Sequence, residues 1–167
     1  MTNFSGRTFC FLGRSGSGKD TQAELLGKFL EKNNYKVTKI STGDQARLLR
    51  DKKTIVGRWI KKILDRGELF PDWLTISLWM CVFQNETSED EIVLFPSSPR
   101  LLKEAEVIDE LMKGSDRPAT IPIYINIDNK EATERLLHRA REDDTLKVIE
   151  ERLSWFDKEV LPIINTF

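Results

Sequence analysis

The chain runs from an apolar stretch, Arg7-Thr8-Phe9-Cys10-Phe11-Leu12, straight into Gly13-Arg14-Ser15-Gly16-Ser17-Gly18-Lys19, and then into a helical pattern over 21–33. No other feature constrains the fold as strongly. The apolar run is rich in aromatic residues and does not alternate with polar ones, so it predicts a strand covered on both faces. Three more runs read the same way, at 36–41, 91–95 and 121–127. Helical patterns separate them, over 43–66 and 72–84, then 101–112, then 130–142 and 145–160. Strands joined by connections of this length pair in parallel through crossover helices. The expectation is an α/β fold of three layers, a parallel sheet with helices on both faces, in a single domain spanning 1–167 without repeats or linkers.

At 167 residues the chain can bury a core without disulfides. Its 26 basic and 27 acidic side chains nearly cancel, which gives no basic surplus for a nucleic-acid partner. No apolar run approaches a membrane span and the N-terminus carries no charged-then-apolar signal, so a cytoplasmic protein is expected. Cys10 and Cys81 stand alone, without metal-ligand spacing, and read as reduced, buried thiols. The single His138 lies in a charged helical segment and reads as solvated. Trp59, Trp73, Trp79 and Trp155 sit among apolar neighbours and read as core.

A glycine loop between a strand and a helix has a specific use. Glycines let successive backbone N–H groups point inward, and the helix N-terminus adds the positive end of its dipole. Lys19 would reach the outer phosphates of a nucleotide as a mobile cation. The usual pattern places Ser or Thr directly after the lysine, whereas here Asp20 stands there and the hydroxyl comes at Thr21. A phosphoryl donor also needs cations around both donor and acceptor, since positioning and charge stabilisation supply nearly all of the catalysis. Arginines occur after each later strand, where open α/β sheets bind ligands: Arg47, Arg100, then Arg135, Arg139, Arg141 and Arg152.

With these residues in view, the chain resembles the adenylate kinases of the nucleoside monophosphate kinase family. The resemblance rests on GRSGSGKDTQAELL (13–26), STGDQARLL (41–49), RGELFPD (66–72), PRLLKEAEVID (99–109), ERLLHR (134–139) and REDDT with Glu151-Arg152-Leu153 (141–153). It implies a P-loop NTPase fold with strand order 2-3-1-4, and the reaction MgATP + AMP ⇌ 2 ADP. It further implies that Gly16, Ser17, Gly18, Lys19, Asp20, Thr21, Arg135 and Arg139 bind ATP. Thr42, Arg47, Glu68, Leu69, Phe70, Ser97, Arg100 and Glu104 would hold AMP. Arg141 and Arg152 would bridge to the transferring group, so that Lys19, Arg100, Arg141 and Arg152 form the catalytic set. Thr21 would meet Mg²⁺ through water, and no zinc is implied. Residues about 42–71 would form an AMP-binding insertion, and the partners would be ATP, AMP and ADP, bound by a monomer.

The chain departs from the family at five places. Pro96 stands where the third-strand motif carries an Asp that orders the waters of Mg²⁺, and Asp20 replaces a glycine. Only Ala140 separates Arg139 from Arg141, which leaves a vestigial lid over about 139–144 and requires the helix to break around 140–143. The chain stops at Phe167, ahead of the family's fifth strand, so a sheet of four strands is expected. Glu104 replaces a glutamine that reads adenine, and its carboxylate would suit guanine's two donors. These departures leave two alternatives: a kinase for GMP, CMP or UMP, or a nucleotide-binding protein with little turnover.

Overall fold

The computed structural model describes residues 3–139, 141 and 144–164. Its centre is a parallel sheet of four strands, β1 (Thr8–Leu12), β2 (Val37–Lys39), β3 (Ile92–Phe95) and β4 (Ile121–Tyr124), in the order β2-β3-β1-β4. Thr8 pairs with Val93 on one side of β1, and Phe9 with Ile121 on the other. Side chains alternate across the strands and feed two cores. Phe9, Phe11, Ile92 and Leu94 pack on Ala23 and Leu30 of helix α1 (Lys19–Lys32). Cys10, Val93 and Phe95 face the other way, against Trp79 and Val82 of α4 (Asp72–Glu86) and Ile108 and Met112 of α5 (Leu102–Gly114).

Two strands differ from the expectation of burial on both faces. β1 and β3 are buried throughout, whereas β2 and β4 are half-buried or exposed. They are the outer strands of the sheet, each paired on one side only, and Pro122 in β4 fits such an edge because it has no amide to donate. Helix α1 meets the sheet along a narrow face. Ala23, Gly27 and Leu30 form its buried stripe, while Leu25 and Phe29 fall off that stripe and are 55% and 59% exposed.

The single helix expected over 43–66 is two helices, α2 (Thr42–Arg50) and α3 (Ile55–Arg66). The Ser41 hydroxyl accepts from the Asp44 amide and caps α2, and the Thr54 hydroxyl accepts from the Gly57 amide and caps α3. Together with α4 they enclose a third apolar cluster of Ala46, Ile60, Ile63, Phe70, Leu74 and Leu78. Beyond β4, α6 (Asn129–Arg139) and α7 (Leu146–Trp155) pack through Ala132, Leu136, Ile149 and Leu153. The expected single helix over 145–160 opens into a wider π-turn at Phe156–Val160 before the short α8 (Leu161–Ile164). Helix α6 ends at Arg139, and of the expected break, Ala140, Glu142 and Asp143 lie outside the described residues.

Of the four tryptophans only Trp79 is fully buried. Trp59 and Trp73 are exposed and stack on each other with centroids 5.6 Å apart, and Trp155 turns toward the cleft described below. Cys10 is buried as expected, but Cys81 is exposed on the outer side of α4. His138 is exposed, as its charged surroundings predict.

Candidate active site

The glycine loop leaves β1 at its C-terminal end and closes onto the first turn of α1. Gly16 has φ +83°, and a Cβ there would lie 2.7 Å from the Ala132 carbonyl oxygen of α6. The loop therefore needs glycine both for its left-handed backbone and for its close approach to α6. The Lys19 ammonium donates to the carbonyls of Gly13 and Arg14 at 2.7 and 2.6 Å, which holds it over the loop. Burial, reinforced by Arg100 and Arg139, pushes Lys19 down to about 7 against the opposing pull of Asp20. Arg14 ties the loop to distant segments: it donates to Asn129 and to Asp157, each at 2.7 Å, and its guanidinium lies 4.6 Å from the Phe156 ring centre. Ser17 is buried beneath the loop, its hydroxyl 3.5 Å from the Lys19 ammonium.

One cleft of about 390 Å³ opens beside this loop. Gly16, Gly18, Lys19, Asp20 and Thr21 line one wall, with Arg135 and Arg139 from α6. Arg47, Glu68, Phe70, Ser97 and Arg100 line the same cleft, as do Arg141 and Arg152. The cations expected after different strands thus converge on a single space. Arg100 donates through Nε to the Ser97 carbonyl at 2.8 Å and lies 5.8 Å from the Trp155 ring centre. Burial pulls its guanidinium below the ordinary range, Glu104 opposes that pull, and Arg152 adds to it. The Trp155 indole donates to the Gly67 carbonyl at 3.0 Å, so α7 is fastened to the end of α3 on the cleft's edge.

Asp144 organises this cluster, and sequence reasoning missed it. Its side chain is fully buried, and its carboxylate accepts from Arg139 Nε and Nη2 at 2.9 and 2.8 Å and from Arg152 Nη1 at 3.0 Å. It also accepts from the Arg141 amide at 3.3 Å. One carboxylate therefore fixes three of the arginines by direct contact. The available signal was the acidic run that follows Arg141: a carboxylate buried among arginines has to pair with them.

A smaller pocket adjoins the cleft, walled by Thr42, Gly43, Leu69, Phe70, Thr75, Arg100 and Glu104. Thr42 and Ser98 share a hydrogen bond of 2.8 Å between their hydroxyls. Glu104 is 1% exposed, and its Oε2 accepts from the Arg100 amide at 3.2 Å. Burial pushes the Glu104 carboxyl up to about 7, although Arg100 and the Ser98 hydroxyl pull the other way. Thr42, Leu69 and Glu104 reach this pocket rather than the main cleft, while Phe70 and Arg100 face both.

The oxygen donors suit a hard cation that arrives on phosphate. Thr21 and Asp20 line the cleft, and the Ser97 hydroxyl is buried with no hydrogen-bond partner among the described residues. No group of three or more His, Cys, Asp or Glu is clustered among the described residues, so nothing there resembles an all-protein cage.

Comparison with known proteins agrees with this arrangement. A family model described as adenylate kinase matches residues 11–167. An adenylate kinase of Prochlorococcus marinus (strain MIT 9301) is 33% identical over 157 residues, which is 94% of this chain and 82% of that protein. One from Azobacteroides pseudotrichonymphae is 32% identical over 151 residues, 88% and 76% of the two chains. One from Flavobacterium psychrophilum is 30% identical over 161 residues, 93% and 81% of the two. With a strand-loop-helix phosphate cradle, arginines gathered on one cleft and these matches, the chain belongs to the adenylate kinase family.

Proposed function

We propose that this chain transfers the γ-phosphoryl group of MgATP to AMP across the single cleft, with the two nucleotides bound on opposite walls. The family makes it a nucleoside monophosphate kinase, a phosphotransferase. The observation that carries the residue roles is the convergence of Lys19, Arg47, Arg100, Arg139, Arg141 and Arg152 on one space flanked by the glycine loop and the Glu104 pocket.

In this reading an oxygen of the AMP phosphate attacks the γ-phosphorus, the bond from that phosphorus to the β–γ bridging oxygen breaks, and two ADP result. The loop amides of Gly16 to Thr21 and the Lys19 ammonium take the donor phosphates, Lys19 exchanging its two loop carbonyls for phosphate oxygens. Arg135 lies against the donor base and Arg139 against its phosphates. Arg47 and Arg100 take the acceptor phosphate, and Ser97 offers it a hydroxyl that lacks a protein partner. Arg141 and Arg152 face the group in transit, where charge spread over its equatorial oxygens rewards fixed cations. Thr42, Glu104 and the Glu68-Leu69-Phe70 stretch surround the acceptor base. Mg²⁺, met through water by Thr21, would supply charge neutralisation on the donor phosphates. The insertion at about 42–71 serves as the acceptor-binding part of a single domain, and the protein works as a cytoplasmic monomer without zinc.

No helix among the described residues is long and apolar enough to cross a membrane. The test is a coupled assay of MgATP with AMP, CMP, UMP and GMP in turn. AMP should be the best acceptor near neutral pH. Faster turnover of GMP, CMP or UMP at that pH, or none with any acceptor, overturns the assignment.

A further inference from the structure

The small pocket beside the cleft, about 10 Å³ and in need of widening to admit a base, has an unusual wall. Leu69 and Phe70 offer apolar surface and Thr42 and Thr75 offer hydroxyls, but Glu104 brings a carboxyl group into an enclosed space. That carboxyl is held in place: Oε2 accepts from the Arg100 amide, the Ser98 hydroxyl bonds to it, and Thr42 in turn bonds to Ser98. Resting on the acceptor reading above, we propose that Glu104 selects the acceptor purine by its protonation state, pairing as a carboxylic acid with adenine and as a carboxylate with guanine.

The hydrogen-bond inventory dictates the two pairings. Adenine presents an amino donor beside a ring-nitrogen acceptor, and a carboxylic acid answers both, its carbonyl accepting and its O–H donating. Guanine presents two adjacent donors, a ring N–H and an amino group, and an ionised carboxylate accepts both. Each wrong combination leaves a buried donor facing a donor or two acceptors facing each other, which a closed site does not tolerate.

The surroundings place the switch near neutrality. Burial favours the neutral acid, and Asp72 at the start of α4 adds to it. Arg100 and the two hydrogen bonds favour the anion, and the carboxyl comes to rest at about 7. Behind it on β1 lies the Cys10 thiol, which burial and Glu104 together keep neutral, so it adds no charge.

The experiment compares kcat/KM for AMP and GMP across neutral pH. Both acceptors carry the same phosphate and meet the same Lys19, so titrations of those groups cancel in the ratio. The GMP-to-AMP ratio should rise about tenfold per pH unit. Glu104→Gln, which keeps the shape but cannot ionise, should remove that slope. A constant ratio in the native protein, or an unchanged slope in Glu104→Gln, overturns the proposal. A second measurement needs no variant: calorimetry of AMP and GMP binding in buffers of different ionisation enthalpy. AMP binding should take up about one more proton than GMP binding. Equal proton counts for the two nucleotides contradict the proposal. If AMP turns over well with a flat ratio, this inference alone fails. If no nucleotide is phosphorylated at any pH, the assigned reaction fails, and the proton counts still decide this one.

Discussion

At the scale of single residues, Asp144 carries the most leverage for its size. It lies at none of the positions that would touch a nucleotide, yet it holds Arg139 and Arg152 through their side chains and Arg141 through its amide. Removing one partner of a buried charge network costs more than the pair is worth, because the remaining charges are left uncompensated. Asp144→Asn keeps the volume, removes the charge and turns an N–H₂ toward guanidinium groups. It should lower stability by about 3 kcal/mol in denaturant titration. It should also reduce kcat more than it raises KM for ATP, since the arginines it aligns are those proposed to act on the group in transit. An Asn variant with native stability and native kcat would show that the arginines hold their places without it.

At the scale of elements, the proposed acceptor side depends on how α3 meets α7. Gly67 ends α3 with φ +69°, and a Cβ there would approach both the Val148 carbonyl and its side chain at 2.9 Å. Its own carbonyl accepts the Trp155 indole. Gly67→Ala would therefore strain the backbone by about 1–3 kcal/mol and push α3 away from α7. Glu68 and Phe70 follow directly on that turn and line the cleft, so KM for AMP should rise severalfold while KM for ATP changes little. Equal changes in both constants would mean that the two walls of the cleft move as one. Elements also show what the sequence could and could not disclose. The buried runs of β1 and β3 were legible because strands paired on both sides carry apolar residues on both faces. The weaker burial of β2 and β4 was not, because it follows from their places at the sheet's edges. The break between α2 and α3 was written in Thr54 and Gly57, a capping hydroxyl and the amide it serves, but the apolar periodicity ran across it. The apolar neighbours of Trp59 and Trp73 point to the core, whereas the two rings cover each other on the surface.

At the scale of the whole molecule, the sheet brings together residues from distant parts of the sequence. The segments that follow the C-terminal ends of β1, β2 and β3 deliver Lys19, Arg47 and Arg100 to one space, α6 adds Arg135 and Arg139, α7 adds Arg152, and Arg141 comes from between those two helices. Most of the candidate site was therefore readable once the strands were placed, since ligands bind beyond the carboxyl ends of parallel strands. Asp144 and Arg14 escaped because their roles lie in tertiary contacts with partners that no local pattern announces. In the proposed reaction donor and acceptor bind at once, on opposite walls of one cleft, close enough for direct transfer. Inhibition by a compound that joins two adenosines through a single polyphosphate chain tests this most directly. Such a compound should compete against both ATP and AMP, with binding far tighter than for either nucleotide alone. Competition against only one of them, with affinity no better than that nucleotide's own, would contradict it.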